Sequence, residues 1–137
     1  MIKEAYVSFE TAKLLKKKGF NEPCFAYYSE YVDNWQRLKI WRGRRGTPKT
    51  YDTVKNDGYV LVPTHQTACA WMREKNLNIC MMIVPWKGKP YWAYSIYTVK
   101  EPFSIDYVDG RDDDTPYFET YEDAVEAAIK YVLENLI

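Results

Sequence analysis

One histidine and three cysteines limit the nucleophilic and metal chemistry open to this chain. His65 and Cys69 stand four apart, the spacing that puts two side chains on one side of a helix. Cys24 and Cys80 would have to join them to complete a zinc set. The spacing matches no finger or ribbon pattern and there is no Cys-x-x-Cys, while Ala68, Cys69 and Met72 read as the buried stripe of a helix. Cys69 is therefore expected as a small core residue, and no metal site is expected. Read as nucleophile and base, the same pair lacks any sign of the exposed electropositive setting and oxyanion donor that an activated thiolate needs. Paired carboxylates, a phosphate-binding glycine loop and a Gly-x-Ser-x-Gly elbow are absent from the sequence. The run Asp109-Gly-Arg-Asp-Asp-Asp-Thr-Pro116 departs from the calcium-loop pattern and reads as a solvated turn. The expectation is a protein that is not an enzyme, with no catalytic residue and no cofactor.

Binding chemistry has better support. From Asn34 to Tyr51 there are six basic residues (Arg37, Lys39, Arg42, Arg44, Arg45 and Lys49) and no acid. If this stretch begins as a strand, Trp35, Arg37, Lys39 and Trp41 share a face that could stack unpaired bases while the Arg-Gly loop takes phosphates. The bland alternative is that the two indoles pack inward and the basic stems run over them toward water. A compensating acidic region, Glu101 to Glu126, holds ten acids against Arg111. The basic stretch could therefore meet acidic surface, on its own chain or on a second copy, as readily as nucleic acid. A second set of candidates is aromatic. Tyr27, Tyr28 and Tyr31 fall in one strand candidate and Trp92, Tyr94 and Tyr97 in another. In a sheet covered on one side, half of such rings face outward, where Tyr and Trp favour docking; the equal alternative is that the long loops fold back over that face as a second layer.

These residues sit on a chain of 137 residues, enough for one sizeable core. Apolar residues make up 47% and charged residues 28%, which excludes an extended, disordered chain. Nineteen basic residues balance nineteen acidic ones and the pI is near 6.6, so any electrostatic partner must be bound locally. No apolar run approaches the roughly 20 residues of a membrane span. Met1-Ile2-Lys3-Glu4 opens no signal-like segment, and an odd number of cysteines fits a reducing compartment. The expected location is cytoplasmic, without membrane attachment.

A helix-start pattern positions the rest. Ser8, Thr64 and Thr120 are each followed two residues later by Glu10, Gln66 or Glu122, and four residues later by Ala12, Ala68 or Ala124. Each hydroxyl can cap the free amides of a first turn. The starts lie 56 residues apart, as do Cys24 and Cys80, which suggests an internal repeat, 8–63 and 64–119, closed by a helix over 120–137. Helices are expected over Phe9 to Lys18, His65 to Lys75 and Tyr121 to Leu136. Strands are expected near Cys24 to Tyr31 and Tyr59 to Val62, with Trp35 to Trp41 open between a strand and a short helix and a long loop from Arg42 to Gly58. Leu77 to Val84 is nearly all apolar and is expected as a central buried strand. Lys87-Gly88-Lys89 turns it into a hairpin with Tyr91 to Val99, and a shorter extended piece follows near Phe103 to Val108. The fold class is α+β in a single domain: an antiparallel sheet with three helices on one face.

Three of these stretches also carry a likeness. VSFETAKLLKKKGFNEPC (Val7 to Cys24), the PT…AWMREKNLNI piece (Pro63 to Ile79) and TYEDAVEAAIKYVLENLI (Thr120 to Ile137) resemble a family of small uncharacterised proteins common in Bacteroides-group bacteria and their phages or mobile elements. The resemblance implies a host context and brings no catalytic residue, substrate or cofactor. The leading expectation is a binding or accessory protein acting through its aromatic sheet face on itself or a protein partner. The alternative is a nucleic-acid-binding accessory protein using Trp35, Arg37, Lys39, Trp41, Arg42, Arg44 and Arg45.

Overall fold

A computed structural model describes residues 3–30, 37–41, 46–55, 58–100 and 117–137, and the backbone of 104–109. The order of elements is α1 (Phe9–Lys17), β1 (Ala26–Ser29), β2 (Lys39–Ile40), β3 (Tyr59–Val62), α2 (His65–Glu74), β4 (Asn78–Trp86), β5 (Lys89–Lys100), β6 (Ser104–Asp109) and α3 (Tyr121–Asn135). The class is α+β, with antiparallel pairing in both sheets. The chain forms two compact units, residues 1–67 and 68–137, with the boundary inside α2. The expected single sheet is instead two three-stranded sheets, ordered β2-β1-β3 and β4-β5-β6. The reason is local. β3 folds back on β1 before α2 begins, and β4 is then claimed by the strand that a tight turn delivers next to it.

All three helix starts are capped by the hydroxyl residues the sequence offers. Ser8 Oγ accepts from the Thr11 N–H at 3.2 Å, Thr64 Oγ1 from the Thr67 N–H at 3.2 Å, and Thr120 Oγ1 from the Asp123 N–H at 3.0 Å. Each bond satisfies one of the donors that a first turn leaves open. The ends of α1 and α2 match as well. The Phe20 N–H reaches back to Leu15 O at 2.9 Å and the Leu77 N–H to Met72 O at 3.0 Å, each across a residue with positive φ, Gly19 and Asn76. This six-to-one bond closes a helix on a left-handed residue. The likeness between the two units runs from cap to cap and stops at the sheets, whose strand orders differ.

In the first unit, Thr11, Ala12 and Leu15 of α1 are buried, and Phe9 meets Tyr28 of β1 edge-on at 4.9 Å. Tyr51, inside the expected loop, is also core. The residue is 6% exposed, its hydroxyl accepts from the Leu61 N–H at 2.9 Å, and its own N–H bonds Asn21 Oδ1 at 2.8 Å. Burial pushes the phenol up to about 12, against the pull of the Leu61 bond. Lys16 lies 5.1 Å over that ring and donates to Tyr59 O at 2.9 Å, and burial lowers its pKa although Glu30 opposes the shift.

In the second unit, α3 packs on β5 and β4 through Ala124, Val125, Ala128, Ile129, Val132 and Leu133. Lys87 and Gly88, at φ 50° and 76°, join β4 to β5 by a two-residue turn. Both residues in the left-handed region define the type I′ turn whose twist suits a hairpin. The turn fixes the register, Trp86 opposite Lys89 through Asn78 opposite Tyr97. Asn76 continues that ladder with its side chain. Its Nδ2 donates to Val99 O at 2.9 Å and its Oδ1 accepts from the Val99 N–H at 3.0 Å, filling the place of the next strand residue.

Asn76 therefore closes a helix and extends a sheet at once. Asn76→Gly keeps the turn but loses both bonds and is expected to cost about 1 kcal/mol. Asn76→Ala loses the bonds and strains a left-handed position, for about 2 kcal/mol in all. Urea denaturation midpoints in the order wild type, Gly, Ala check this.

Candidate functional site

The two groups of residues singled out in the sequence are partly merged by the first sheet. Tyr27 of β1 stands opposite Lys39 of β2 and Leu61 of β3. Its ring stacks on Trp41 at 4.0 Å with planes 21° apart, and Tyr59 leans on both, at 5.7 Å and 6.3 Å. Lys49 places its ammonium 5.7 Å over the Trp41 ring. A half-buried aromatic cluster with two lysines at its edge results, with Phe25 beside Trp41 and 47% exposed. Tyr28, one residue on from Tyr27, points to the opposite face and meets α1. Arg37 is exposed. Tyr31, Trp35, Arg42, Arg44 and Arg45 lie outside the described residues.

The second aromatic group is dispersed. Trp92 packs edge-on against Tyr121 of α3 at 5.2 Å, and its backbone bonds both ways with Phe118 at 2.8 Å. Tyr94 is 8% exposed, between Phe118 and Tyr131, so it is a core residue and not part of an open face. Tyr97 points to the other side of β5 from Trp92 and Tyr94, because strand side chains alternate. The five of these six tyrosines and tryptophans that lie within the described residues thus belong to two sheets and to both sides of each.

The exposed apolar surface lies elsewhere. β4 is an edge strand of its sheet, and its expected burial on both faces does not occur. Met82 is 45% exposed, Ile83 60% and Trp86 50%, and Cys80 is exposed as well. Trp86 is held against Tyr91 at 5.7 Å, with the Lys87 ammonium 4.8 Å over its ring. From Asn78 to Trp86 the strand carries no Asp, Glu, Lys or Arg. The sequence did hold a signal for this. Pro85 lacks an N–H and is at home on an edge strand, not in a central one.

The backbone of β4 is half satisfied. The type I′ turn makes Trp86 and Lys89 a hydrogen-bonded pair, so bonded positions alternate back along the strand. Trp86, Val84, Met82, Cys80 and Asn78 face β5 with their N–H and C=O groups; Pro85, Ile83, Met81 and Ile79 face away. The bonds of Trp92 agree with this phase. Its N–H and C=O go to Phe118, on the side away from β4, as the partner of an outward-facing Ile83 requires. Among the described residues, nothing pairs with the outer edge of β4.

Two of the three cysteines are poorly placed for covalent chemistry. Cys24 is buried, donates to Glu22 O at 3.4 Å, and is pushed up to about 12 by burial, with Glu22 adding to the effect. Cys69 is raised by burial against the lowering influence of Arg73. Neither sulfur is poised as a thiolate. A cleft of about 260 Å³ in the first unit brings Cys24 together with Glu4, Tyr6, Thr64 and Thr67. It pairs one carboxylate with a thiol held protonated, and His65 does not line it. Among the described residues no group of three His, Cys, Asp or Glu side chains could hold a metal ion, and no helix is long and apolar enough to cross a membrane. No family model, curated protein or solved structure matches this chain.

Proposed function

We propose that this is a non-catalytic binding protein whose working surface is the β4–β5 hairpin, and that it takes another polypeptide as an added strand along β4. The observation that carries this reading is the nine-residue β4, uncharged, with no buried residue and, among the described residues, no partner along one edge. Soluble proteins ordinarily blunt such edges with charges, bulges or a covering element. Strand addition gives affinity through main-chain bonds and specificity through alternate side chains. Met82 and Ile83, on opposite faces, supply the apolar contact that the bonds alone lack.

A second reading rests on the Tyr27, Trp41 and Tyr59 cluster with Lys39 and Lys49 at its edge. Rings bordered by cations suit single-stranded nucleic acid. It is the weaker of the two, because the rings already stack on one another and are half-buried.

For the leading reading, light scattering across a range of concentrations compares wild type with two variants. Ile83→Lys, on the open edge, is expected to abolish concentration-dependent mass. Val99→Lys, at a site that is 51% exposed but on β5, is expected to leave it intact. Where wild type gains mass with concentration, equal behaviour of the two variants contradicts the assignment of the surface. For the second reading, affinity for a single-stranded oligonucleotide is expected to fall linearly in log–log form with salt. Lys39→Ala and Lys49→Ala are each expected to reduce that slope by about one. No binding at low salt removes it.

A further inference from the structure

We infer that the strand added to β4 is β4 of a second copy of this chain, antiparallel and centred on Met81. The inference rests on the strand-addition reading and specifies its occupant. The outer edge of β4 presents N–H and C=O groups of Ile79, Met81 and Ile83, then the C=O of Pro85 without a donor. Beyond the other end, the Leu77 N–H is already committed to Met72 O at 3.0 Å. Three consecutive outward residues thus form a block closed at both ends. Related by a two-fold axis through Met81, such a block is its own complement: Ile79 faces Ile83 of the second copy, Met81 faces Met81, and Ile83 faces Ile79. Every open donor and acceptor of the block is then paired. One step further along, the Pro85 ring would be set against the Ile79 C=O of the other copy and leave that acceptor unsatisfied.

Charge points the same way. A strand that pairs antiparallel with itself sets each residue against a near neighbour from its own sequence, so a charged strand sets like against like unless acids and bases alternate. β4 has no Asp, Glu, Lys or Arg over its length and meets no such penalty. The outward residues of the pairing share the α3 side of the sheet, where Ile83 is 60% exposed. On the opposite side Cys80 lies against Met82 of the second copy, both exposed now. The contact is one strand wide, whereas stable complexes bury roughly 1,200 Å² or more, so the dimer is expected to form with rising concentration and not as an obligate one.

The register has a chemical signature. Cys80 and Met82 of the second copy occupy a non-hydrogen-bonded pair, where Cα atoms approach to about 4.5 Å, within the span of a disulfide. Met82→Cys under mild oxidation is therefore expected to give a covalent dimer, joined twice between position 80 of one copy and position 82 of the other. Each bond forms from two thiols with loss of two electrons and two protons to the added oxidant, such as oxidised glutathione. Peptide mapping by mass spectrometry locates the bonds. Cys80→Ser combined with Met82→Cys is expected to give no covalent dimer. If that double variant still cross-links, through position 82 of both copies, the Met81-centred register is overturned. If Met82→Cys, folded by circular dichroism, yields no covalent dimer while wild type still gains mass in an Ile83-dependent way, the register falls and strand addition stands. If wild type is monomeric throughout, the second copy is ruled out as occupant. Protection of the Ile79, Met81 and Ile83 amides by a different bound polypeptide would then leave the broader reading standing.

Discussion

A β-strand has two edges, and each carries donors and acceptors that need partners. Among the described residues, β4 has a partner on one edge only. Its own turn enforces this. Lys87 and Gly88 adopt the left-handed conformations of a type I′ turn, which delivers β5 to one side of β4 in a fixed phase. The other side is left with three full peptide units facing outward. β5, by contrast, is paired along both edges, by β4 on one side and by β6 and Phe118 on the other, and Asn76 supplies a side-chain substitute where β4 runs out.

The aromatic excess of the chain is absorbed differently from what a single one-sided sheet would require. Rings are used chiefly as partners for one another: Phe9 with Tyr28, Tyr27 with Trp41, Trp92 with Tyr121, and Tyr94 with Phe118 and Tyr131. Tyr51 adds a polar use, its buried hydroxyl receiving a backbone N–H that β3 would otherwise leave open. The exposed large apolar side chains include Met82, Ile83 and Trp86 on β4, beside Phe25, Ile40, Val99, Tyr121 and Ile137 elsewhere.

The helices were legible in the sequence because capping is local chemistry. Ser8, Thr64 and Thr120 each reach a donor three residues on, and a hydroxyl at the right place declares that reach. The hairpin was legible for the same reason, since Lys87-Gly88 names its turn. What the sequence did not disclose was burial along β4. An unbroken apolar run is the mark of a strand covered on both faces, and only Pro85 spoke against it. The grouping of Trp92, Tyr94 and Tyr97 failed on parity, because an odd step along a strand changes sides. Tyr27 and Trp41 come together through the pairing of β1 with β2, a long-range fact with no short-range sign. The same holds for Tyr51, one aromatic in a polar stretch whose partner lies ten residues away.

Residue-resolved amide hydrogen exchange, recorded in dilute and in concentrated protein, tests the open edge most directly. The account predicts that Cys80, Met82 and Val84, bonded to β5, are protected at both concentrations. Ile79, Met81 and Ile83 should exchange fast when dilute and slow down when concentrated. Slow exchange of those three in the dilute chain, or fast exchange that concentration leaves unchanged, would contradict it.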